Sequence, residues 1–138
     1  MTALDHVTGL APRGELQRSL ESLLAADDAR PVAVVICDVV GLKAVNELTG
    51  FLAGDAVLAR AAQALRMAAA GPILLARLGG DELVAVFAGP AAPAAAGQAV
   101  LGLAKTKSPR MRAAAVTAEP TDTPATLIDR LYATMRSS

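Results

Sequence analysis

Three carboxylates, at two places in the sequence, have the types and spacing for metal chemistry. Asp38 ends the apolar run VAVVICD, whereas Asp81 and Glu82 follow Gly79 and Gly80 in the stretch ARLGGDELVAVF. Carboxylates that gather in one place repel one another, and a divalent cation removes that cost. Oxygen ligands without His or Cys favour Mg²⁺ or Mn²⁺, and such ions commonly take phosphate as a further ligand. If the two places meet, the sequence predicts a metal site that receives a nucleotide, where two metals would stabilise the attacking and leaving oxygens.

A second polar set, Lys43, Asn46 and Asp55, lies in the segment between the two acidic places. Each of these residues also has an ordinary structural interpretation. Asp55 is a good helix N-cap, Asn46 is typical of a helix end, and Lys43 is typical of a solvated surface. Taken singly, the three residues therefore leave a binding role and a structural role open.

The acidic stretch has ordinary interpretations as well. Gly79-Gly80-Asp81-Glu82 is compatible with a charged hairpin whose glycines take positive φ, and Asp38 can simply end a strand. Glycine backbone would equally let a phosphate or a base approach closely, because it carries no side chain. Residue types alone do not decide between a plain turn and a nucleotide site.

The elements that must position these residues follow from the hydrophobic pattern. The first helix is predicted in PRGELQRSLESLLAA and the last in TPATLIDRLYATM, with Thr123 as its cap and Pro124 at its first position. Between them the pattern predicts, in order, a buried strand at Val32 to Asp38, a short helix LKAVNEL closed by Thr49-Gly50, a long helix opened by Asp55, strands PILLARL and ELVAVFA, a weaker helix APAAAGQAVLGLA and a strand MRAAAVTA. Interleaved strands and helices predict an α/β fold, one sheet covered by helices, in a single domain over residues 1–138.

Composition limits the other possibilities. Thirteen basic residues balance thirteen acidic ones, so no net charge favours nucleic acid or a membrane surface as a partner. The single Cys37 and single His6 make a structural zinc site improbable and a disulfide within the chain impossible. The run from Ala88 to Ala104 is too short and too rich in alanine to span a bilayer. These observations lead to the expectation of a cytoplasmic domain without a signal peptide.

Four segments in order resemble one family. LDHVTGLAPR is similar to D-x-L-T-G-L-x-N-R, CDVVGLKAVNELTGFLAGD to a strand followed by D-x-D-x-F-K-x-I-N-D and G-H-x-x-G-D, RLGGDEL to R-x-G-G-D-E-F, and LIDRLYATM to A-D-x-A-L-Y-x-A-K. The chain resembles a GGDEF domain of the diguanylate cyclase family. The resemblance implies an α+β sandwich related to nucleotide cyclases and polymerase palm domains, with a mainly antiparallel sheet of about five strands. It also implies a homodimer that joins two GTP molecules into cyclic di-GMP over two Mg²⁺ (or Mn²⁺) per active site, under an upstream sensor or receiver domain.

The resemblance also implies a role for each matching residue. By that analogy Asp81, Glu82 and Lys43 are catalytic, Asp38, the Val39 carbonyl, Asp81 and Glu82 bind metal, and Asn46, Asp55, Phe51, Gly79 and Gly80 contact the substrate. Asp81 would be the base, Lys43 would face phosphate, and Asn46 with Asp55 would bind guanine.

Several positions depart from the family pattern. Val40, Leu42, Phe51, Leu83 and Met135 replace Asp, Phe, His, Phe and Lys, and Arg136-Ser137-Ser138 does not match the following G-R-N. The R-x-x-D product site is replaced at Ala70 and Ile73, so product inhibition there is not expected. Two functions therefore stay open: a cyclase of reduced or conditional activity, and a degenerate module that binds GTP or a protein partner. A plain structural domain with an acidic hairpin is the third interpretation.

Overall fold

The structure is a computed structural model that describes residues 3–137. Met1, Thr2 and Ser138, at the ends of the predicted domain, lie outside the described residues. The elements are α1 (Arg13–Ala25), a 3₁₀ turn (Asp27–Ala29), β1 (Val32–Val39), α2 (Leu42–Thr49), α3 (Phe51–Ala68), β2 (Leu74–Arg77), β3 (Glu82–Ala88), α4 (Ala92–Ala104), β4 (Met111–Thr117) and α5 (Pro124–Ser137). Their order is the one that the hydrophobic pattern predicts.

The sheet has the order β2-β3-β1-β4, and every neighbouring pair is antiparallel. It therefore has four strands among the described residues, rather than about five. Beside β2 the chain makes only an isolated bridge, from Ala11 to Ala76. That pairing cannot extend, because Pro12 has no backbone N–H to donate and α1 begins at Arg13.

Strand β1 lies in the middle of the sheet, and all eight of its residues are buried. Helices cover both of its faces, which is why the strand reads as a continuous apolar run. On one face Val35 and Cys37 pack with residues of α3 and α4, such as Leu58 and Leu103. On the other face Ile36 packs with residues of α1 and α5.

The start of α3 differs from the prediction. The helix begins at Phe51, with Gly50 at the N-cap position and a φ of 91° there, so Asp55 lies one turn inside the helix. The N-cap interpretation of Asp55 is therefore wrong. Glycine before Phe51 reverses the chain between α2 and α3, because it accepts positive φ without strain.

The final helix begins as predicted. The backbone N–H of Thr126 donates to Thr123 Oγ1 at 3.2 Å, and Pro124 is the first helical residue. The helices formed by residues 3–137 are all too short or too polar to cross a bilayer.

Candidate functional site

One cavity of about 400 Å³ brings together most of the predicted substrate contacts. It lies between the α2–α3 pair and the turn that joins β2 to β3. Its lining includes Lys43, Asn46, Phe51, Asp55, Gly80 and Asp81. These residues come from segments up to 38 positions apart in the sequence, so the fold, and not local chain proximity, gathers them.

The α2–α3 end of the cavity depends on Gly54. This residue is buried, and a Cβ added to it would overlap Asn46 Oδ1. The absence of a side chain lets the Asn46 amide lie against α3, next to the half-buried Asp55. Sequence reasoning assigned no role to Gly54, although it belongs to the segment similar to G-H-x-x-G-D.

Among residues 3–137, the side chains of Lys43, Asn46 and Asp55 accept or donate no hydrogen bond and form no ion pair. An amide and a carboxylate, side by side and without protein partners, can offer both donors and acceptors to a planar ligand. Lys43 is exposed in the first turn of α2, where its ammonium group remains accessible to an anion.

Arg77 fixes the turn at the other end of the cavity. Its guanidinium donates to the carbonyl oxygens of Gly79 (3.2 Å) and Gly80 (2.6 Å). The same group pairs with both carboxylate oxygens of Asp5, at 3.1 and 3.2 Å. Neither Arg77 nor Asp5 was predicted as a site residue. The signal that could have found them is that each lies in a segment that resembles the family and that their charges are opposite.

Asp5 is itself held by Thr8, whose backbone N–H and hydroxyl donate to Asp5 Oδ2 at 2.9 and 2.7 Å. Partial burial alone would raise the pKa of Asp5. The hydrogen bonds from Thr8 and the charge of Arg77 outweigh it, and the pKa lies below its usual range. The N-terminal segment thus braces the turn through an ionised carboxylate.

The glycines of the turn do not have the predicted backbone conformation. Gly79 and Gly80 are not among the positive-φ glycines, so that part of the prediction is wrong. Gly79 has a different constraint, since an added Cβ would lie 2.1 Å from Glu82 Oε1 and would force that side chain to shift. At Gly80 an added Cβ would meet nothing within 4 Å, so the backbone there is open toward the cavity.

The two acidic places meet across the sheet. Asp38 of β1 is the direct partner of Glu82 at the start of β3. Glu82 Oε1 accepts a hydrogen bond from the Tyr132 hydroxyl at 3.0 Å. The carboxyl of Asp81 and partial burial, with a further contribution from Asp38, raise the pKa of Glu82 to about 7. Mutual repulsion among carboxylates of this kind is what a divalent cation relieves, so Asp81 and Glu82 fit a metal ion chemically.

Asp38 does not fit a metal ion in this arrangement. Arg112, its neighbour on β4, donates from Nε to Asp38 Oδ1 at 3.0 Å and from a terminal nitrogen to Oδ2 at 2.6 Å. Both oxygens are therefore engaged by a guanidinium. No group of three or more His, Cys, Asp or Glu side chains in the described part of the chain is arranged to hold a metal. Val39 lies opposite Met111 in the β1–β4 ladder, and its carbonyl as a ligand stays a prediction.

The remaining departures have clear positions. Phe51 is 75% exposed at the rim of the cavity, and Met135 is buried on the α5 face of the sheet. Arg136 is exposed, so it does not share the buried position of Met135. Cys37 is fully buried, and burial together with the charge of Asp38 raises the pKa of its thiol to about 12. The thiol is therefore not a nucleophile.

The architecture and the cavity together define a class, an α/β domain with a cavity of about 400 Å³ at one end of an antiparallel sheet. The sequence profile described as "Diguanylate cyclase, GGDEF domain" matches residues 2–123. The chain belongs to the GGDEF domain family. In fold it is similar to the GGDEF domain of DgcB from Caulobacter crescentus, with a TM-score of 0.82, 22% identity, and 98% of this chain and 88% of that chain covered.

A sensory box/GGDEF family protein of Caulobacter crescentus is 31% identical, with a TM-score of 0.73, 98% of this chain and 99% of that chain covered. Among curated proteins, one from the hutH 5′ region of Streptomyces griseus is 41% identical over 99 residues. MucR of Pseudomonas aeruginosa, a bifunctional diguanylate cyclase/cyclic di-GMP phosphodiesterase, is 39% identical over 82 residues. The matches cover 69% and 58% of this chain, but only 41% and 12% of those relatives.

Proposed function

We propose that residues 1–138 act as a single GGDEF-type domain that binds GTP in the cavity and, as a homodimer, condenses two GTP into cyclic di-GMP. The observation that supports this proposal is the convergence of Lys43, Asn46, Asp55 and Asp81 on one cavity of about 400 Å³. That volume lies within the range of small-molecule sites, roughly 300–1,000 Å³.

The α2–α3 end of the cavity would bind the base. The Asp55 carboxylate can accept from guanine N1–H and from the exocyclic amine, and the Asn46 amide can donate to O6. Adenine offers no N1–H and carries an amine where guanine has O6, so it would leave these groups unpaired. A site built to hydrogen-bond one base edge rejects an analogue that lacks it, because its own polar groups stay unsatisfied.

The β2–β3 turn would hold the phosphates. Gly80 leaves its backbone open to them, and Lys43 offers a positive charge from the opposite side of the cavity. Mg²⁺ or Mn²⁺, when bound with the nucleotide, would neutralise phosphate charge at Asp81 and Glu82. In the proposed reaction the 3′-oxygen of one GTP bonds to the α-phosphorus of the other. The bond from that phosphorus to the β-phosphate oxygen breaks, and pyrophosphate leaves with its electrons. The same transfer in the opposite direction closes the ring and releases a second pyrophosphate. Asp81 is the candidate acceptor of the 3′-hydroxyl proton.

Each subunit would supply one GTP, so the reaction needs two cavities face to face. Orientation of two bound substrates can account for much of the rate enhancement of such a reaction. The curated relatives are much longer than this chain, so we also propose that a sensor or receiver segment controls the approach of the two domains.

A second candidate function is a GTP-binding module without turnover. The Asp38–Arg112 pair and the buried Met135 favour it, because both depart from what a metal-dependent transfer requires. In this case the α2–α3 end of the cavity would still bind GTP, while Asp81 and Glu82 would take part in no reaction.

Calorimetry with GTP and ATP in the presence of Mg²⁺ tests the binding step. We expect GTP to bind at least tenfold more tightly than ATP, and Asp55→Ala to remove that preference. Glu47→Ala is the matched control, because it removes a carboxylate from exposed α2 surface outside the cavity lining. Equal binding of the two nucleotides by the wild type would rule out the proposed guanine site.

A dilution series, with cyclic di-GMP quantified by chromatography, tests the reaction. The rate per subunit should rise with protein concentration until the dimer saturates. A rate that stays flat where the protein is shown to be monomeric would contradict the two-cavity mechanism. GTP binding without product at any concentration would leave the binding module as the function.

A further inference from the structure

Arg112 occupies an unusual place for an arginine, opposite Asp38 in the β1–β4 ladder. Its two hydrogen bonds, 3.0 and 2.6 Å long, engage one carboxylate oxygen each. This is the two-pronged geometry in which a guanidinium binds a carboxylate most strongly. The antiparallel register between β1 and β4 places the two residues opposite each other. The backbone, and not only two flexible side chains, therefore holds the pair together.

The pair differs from an ordinary surface ion pair in its surroundings. The Asp38 side chain is only 11% exposed, whereas that of Arg112 is 52% exposed. Little water can therefore solvate the carboxylate, and the guanidinium is the main group that stabilises its negative charge. Breaking one partner of such a pair leaves a buried charge without compensation, which is costly. An arginine stays charged at every working pH, so the positive partner of the pair is permanent.

A divalent cation at Asp38 would need a lone pair on one of these oxygens at about 2.0–2.1 Å. The guanidinium hydrogens occupy one lone-pair site on each oxygen, and the positive charge of the guanidinium repels a second cation. We propose that Arg112 is a positioning residue that takes the place of a divalent ion at Asp38. While the pair is intact Asp38 binds no metal, and any metal that accompanies the nucleotide contacts Asp81 and Glu82 alone. The nucleotide part of this inference rests on the proposed function, whereas the exclusion of metal from Asp38 does not.

The chain offers a matched control for the charge. Arg110 and Arg112 line the same cleft of about 760 Å³, together with Lys105 and Lys107. The side chain of Arg110 forms no hydrogen bond or ion pair with Asp38. Arg110→Ala therefore removes the same charge from the same cleft, while the Asp38 pair stays intact.

The test is a Mn²⁺ titration without nucleotide, in which free Mn²⁺ is counted by electron paramagnetic resonance. We expect Arg112→Ala to lower the dissociation constant for Mn²⁺ at least tenfold, and Arg110→Ala to leave it within about twofold of the wild type. The gain should disappear in the double variant Asp38→Asn with Arg112→Ala. An unchanged constant in Arg112→Ala would overturn the proposal. An equal gain in Arg110→Ala would do the same, since it would reduce the effect to net charge.

Two further variants keep the test valid if Arg112→Ala does not fold, as judged by circular dichroism. Arg112→Lys keeps a charge but loses the two-pronged contact, and it should give an intermediate gain. Asp38→Asn alone should leave the Mn²⁺ constant within about twofold of the wild type, because the proposal gives Asp38 no metal. A clear loss of Mn²⁺ binding in Asp38→Asn would show that Asp38 is a ligand, and the proposal would be wrong.

The GTP site and the role of Arg112 can be refuted separately. Absence of GTP binding would end the proposed function and leave the Mn²⁺ contrast between Arg112→Ala and Arg110→Ala intact. Equal Mn²⁺ constants in all variants would end the role of Arg112 and leave GTP binding unaffected.

Discussion

The polar side chains of the cavity and the carboxylates beside it differ in whether the protein itself provides their hydrogen-bond partners. At the α2–α3 end, Asn46 and Asp55 lie against a glycine and have no protein partners among the described residues. Beside the cavity, but outside its lining, Asp38 is paired with Arg112 and Glu82 accepts a hydrogen bond from Tyr132. Asn46 and Asp55 are thus left open to a ligand, whereas Asp38 and Glu82 are satisfied within the protein. Under the proposed function, base binding should tolerate change at Asp38 and Glu82 better than catalysis does.

The largest expected effect concerns the brace that joins the N-terminal segment to the turn. Arg77→Ala removes an ion pair with Asp5 and two hydrogen bonds to the turn carbonyls. We expect the free energy of unfolding to fall by about 1.5–3 kcal/mol, since these are partly buried bonds to a charged group. GTP affinity should fall at least tenfold as the turn loses its position. Denaturant melts and calorimetry measure the two quantities.

The control for this variant is Arg130→Ala. It breaks a comparable pair with Asp122 at the start of α5, outside the cavity lining. We expect a similar loss of stability with GTP affinity unchanged. If both variants lost GTP affinity equally, general loosening of the fold would explain the result, and the brace would have no special role.

Gly54→Ala separates binding from stability at the α2–α3 end. An added Cβ would displace the Asn46 amide, the far end of a flexible side chain. The helix should therefore keep its stability within roughly 1 kcal/mol, while GTP affinity drops about tenfold. Gly97→Ala, at an exposed position of α4 where an added Cβ meets nothing within 4 Å, should stabilise the fold by roughly 0.5–1 kcal/mol. Its GTP affinity should match the wild type, and a loss there would undermine the local explanation.

The raised pKa of Glu82 should make the stability of the fold depend on pH. Because the pKa of Glu82 is raised from 4.5 to about 7, the folded state favours its neutral form. This contribution to stability is fully present below about pH 4.5 and is lost as the pH rises to about 7. Glu82 is only half-buried, so solvent screening keeps the effect small.

Glu82→Gln should remove this slope, so the Tm difference between wild type and variant should change by about 1–3 °C between pH 4.5 and 7.5. Glu21→Gln, on the exposed side of α1, should keep the wild-type slope. Parallel Tm profiles for the wild type and Glu82→Gln would contradict the raised pKa.

The smallest expected effect is at the rim. Phe51→His replaces an exposed ring that lines the cavity with a hydrogen-bonding ring of similar shape. We expect GTP affinity to rise about two- to fivefold, the range of one neutral hydrogen bond, with no change in Tm. Phe51→Ala removes the ring without adding a donor, and it should give no gain. If Phe51→Ala binds GTP as well as Phe51→His does, steric relief is the cause.

The order of elements could be predicted from the sequence because burial leaves a periodic pattern. β1, covered on both faces, appears as an unbroken apolar run, and α5 carries both its cap and its Pro124. The beginning of α3 could not be predicted, since Asp55 suits an N-cap by residue type while Gly50 holds that position by its φ. Capping preference is a local property, whereas the reversal between α2 and α3 depends on their packing.

The site residues also divide into those that the sequence could predict and those that depend on the assembled fold. Motif segments predicted Asn46 and Asp55 as guanine contacts and Asp81 as a metal ligand and base. The structure brings the three residues to one cavity, and their roles stay predictions. The Asp38–Arg112 pair could not be predicted, because β4 reads as a weak alanine-rich strand and gives no register. A contact 74 residues apart depends on which strand lies beside β1 and on which residue faces Asp38. Those are properties of the assembled sheet.

Because Cys37 is buried, the alkylation of its thiol can report how often the core opens. It is the only cysteine in the sequence, it lies in β1 with neighbours on β3 and β4, and burial raises the pKa of its thiol to about 12. An alkylating reagent can reach the sulfur only when α3 and α4 move away from the face of the sheet that they cover. The thiolate is the reactive form, so the raised pKa slows alkylation further. The rate of alkylation therefore reports openings of this core, not fraying at the edges of the sheet. A variant that weakens only the cavity should leave that rate unchanged, and one that weakens the fold should raise it.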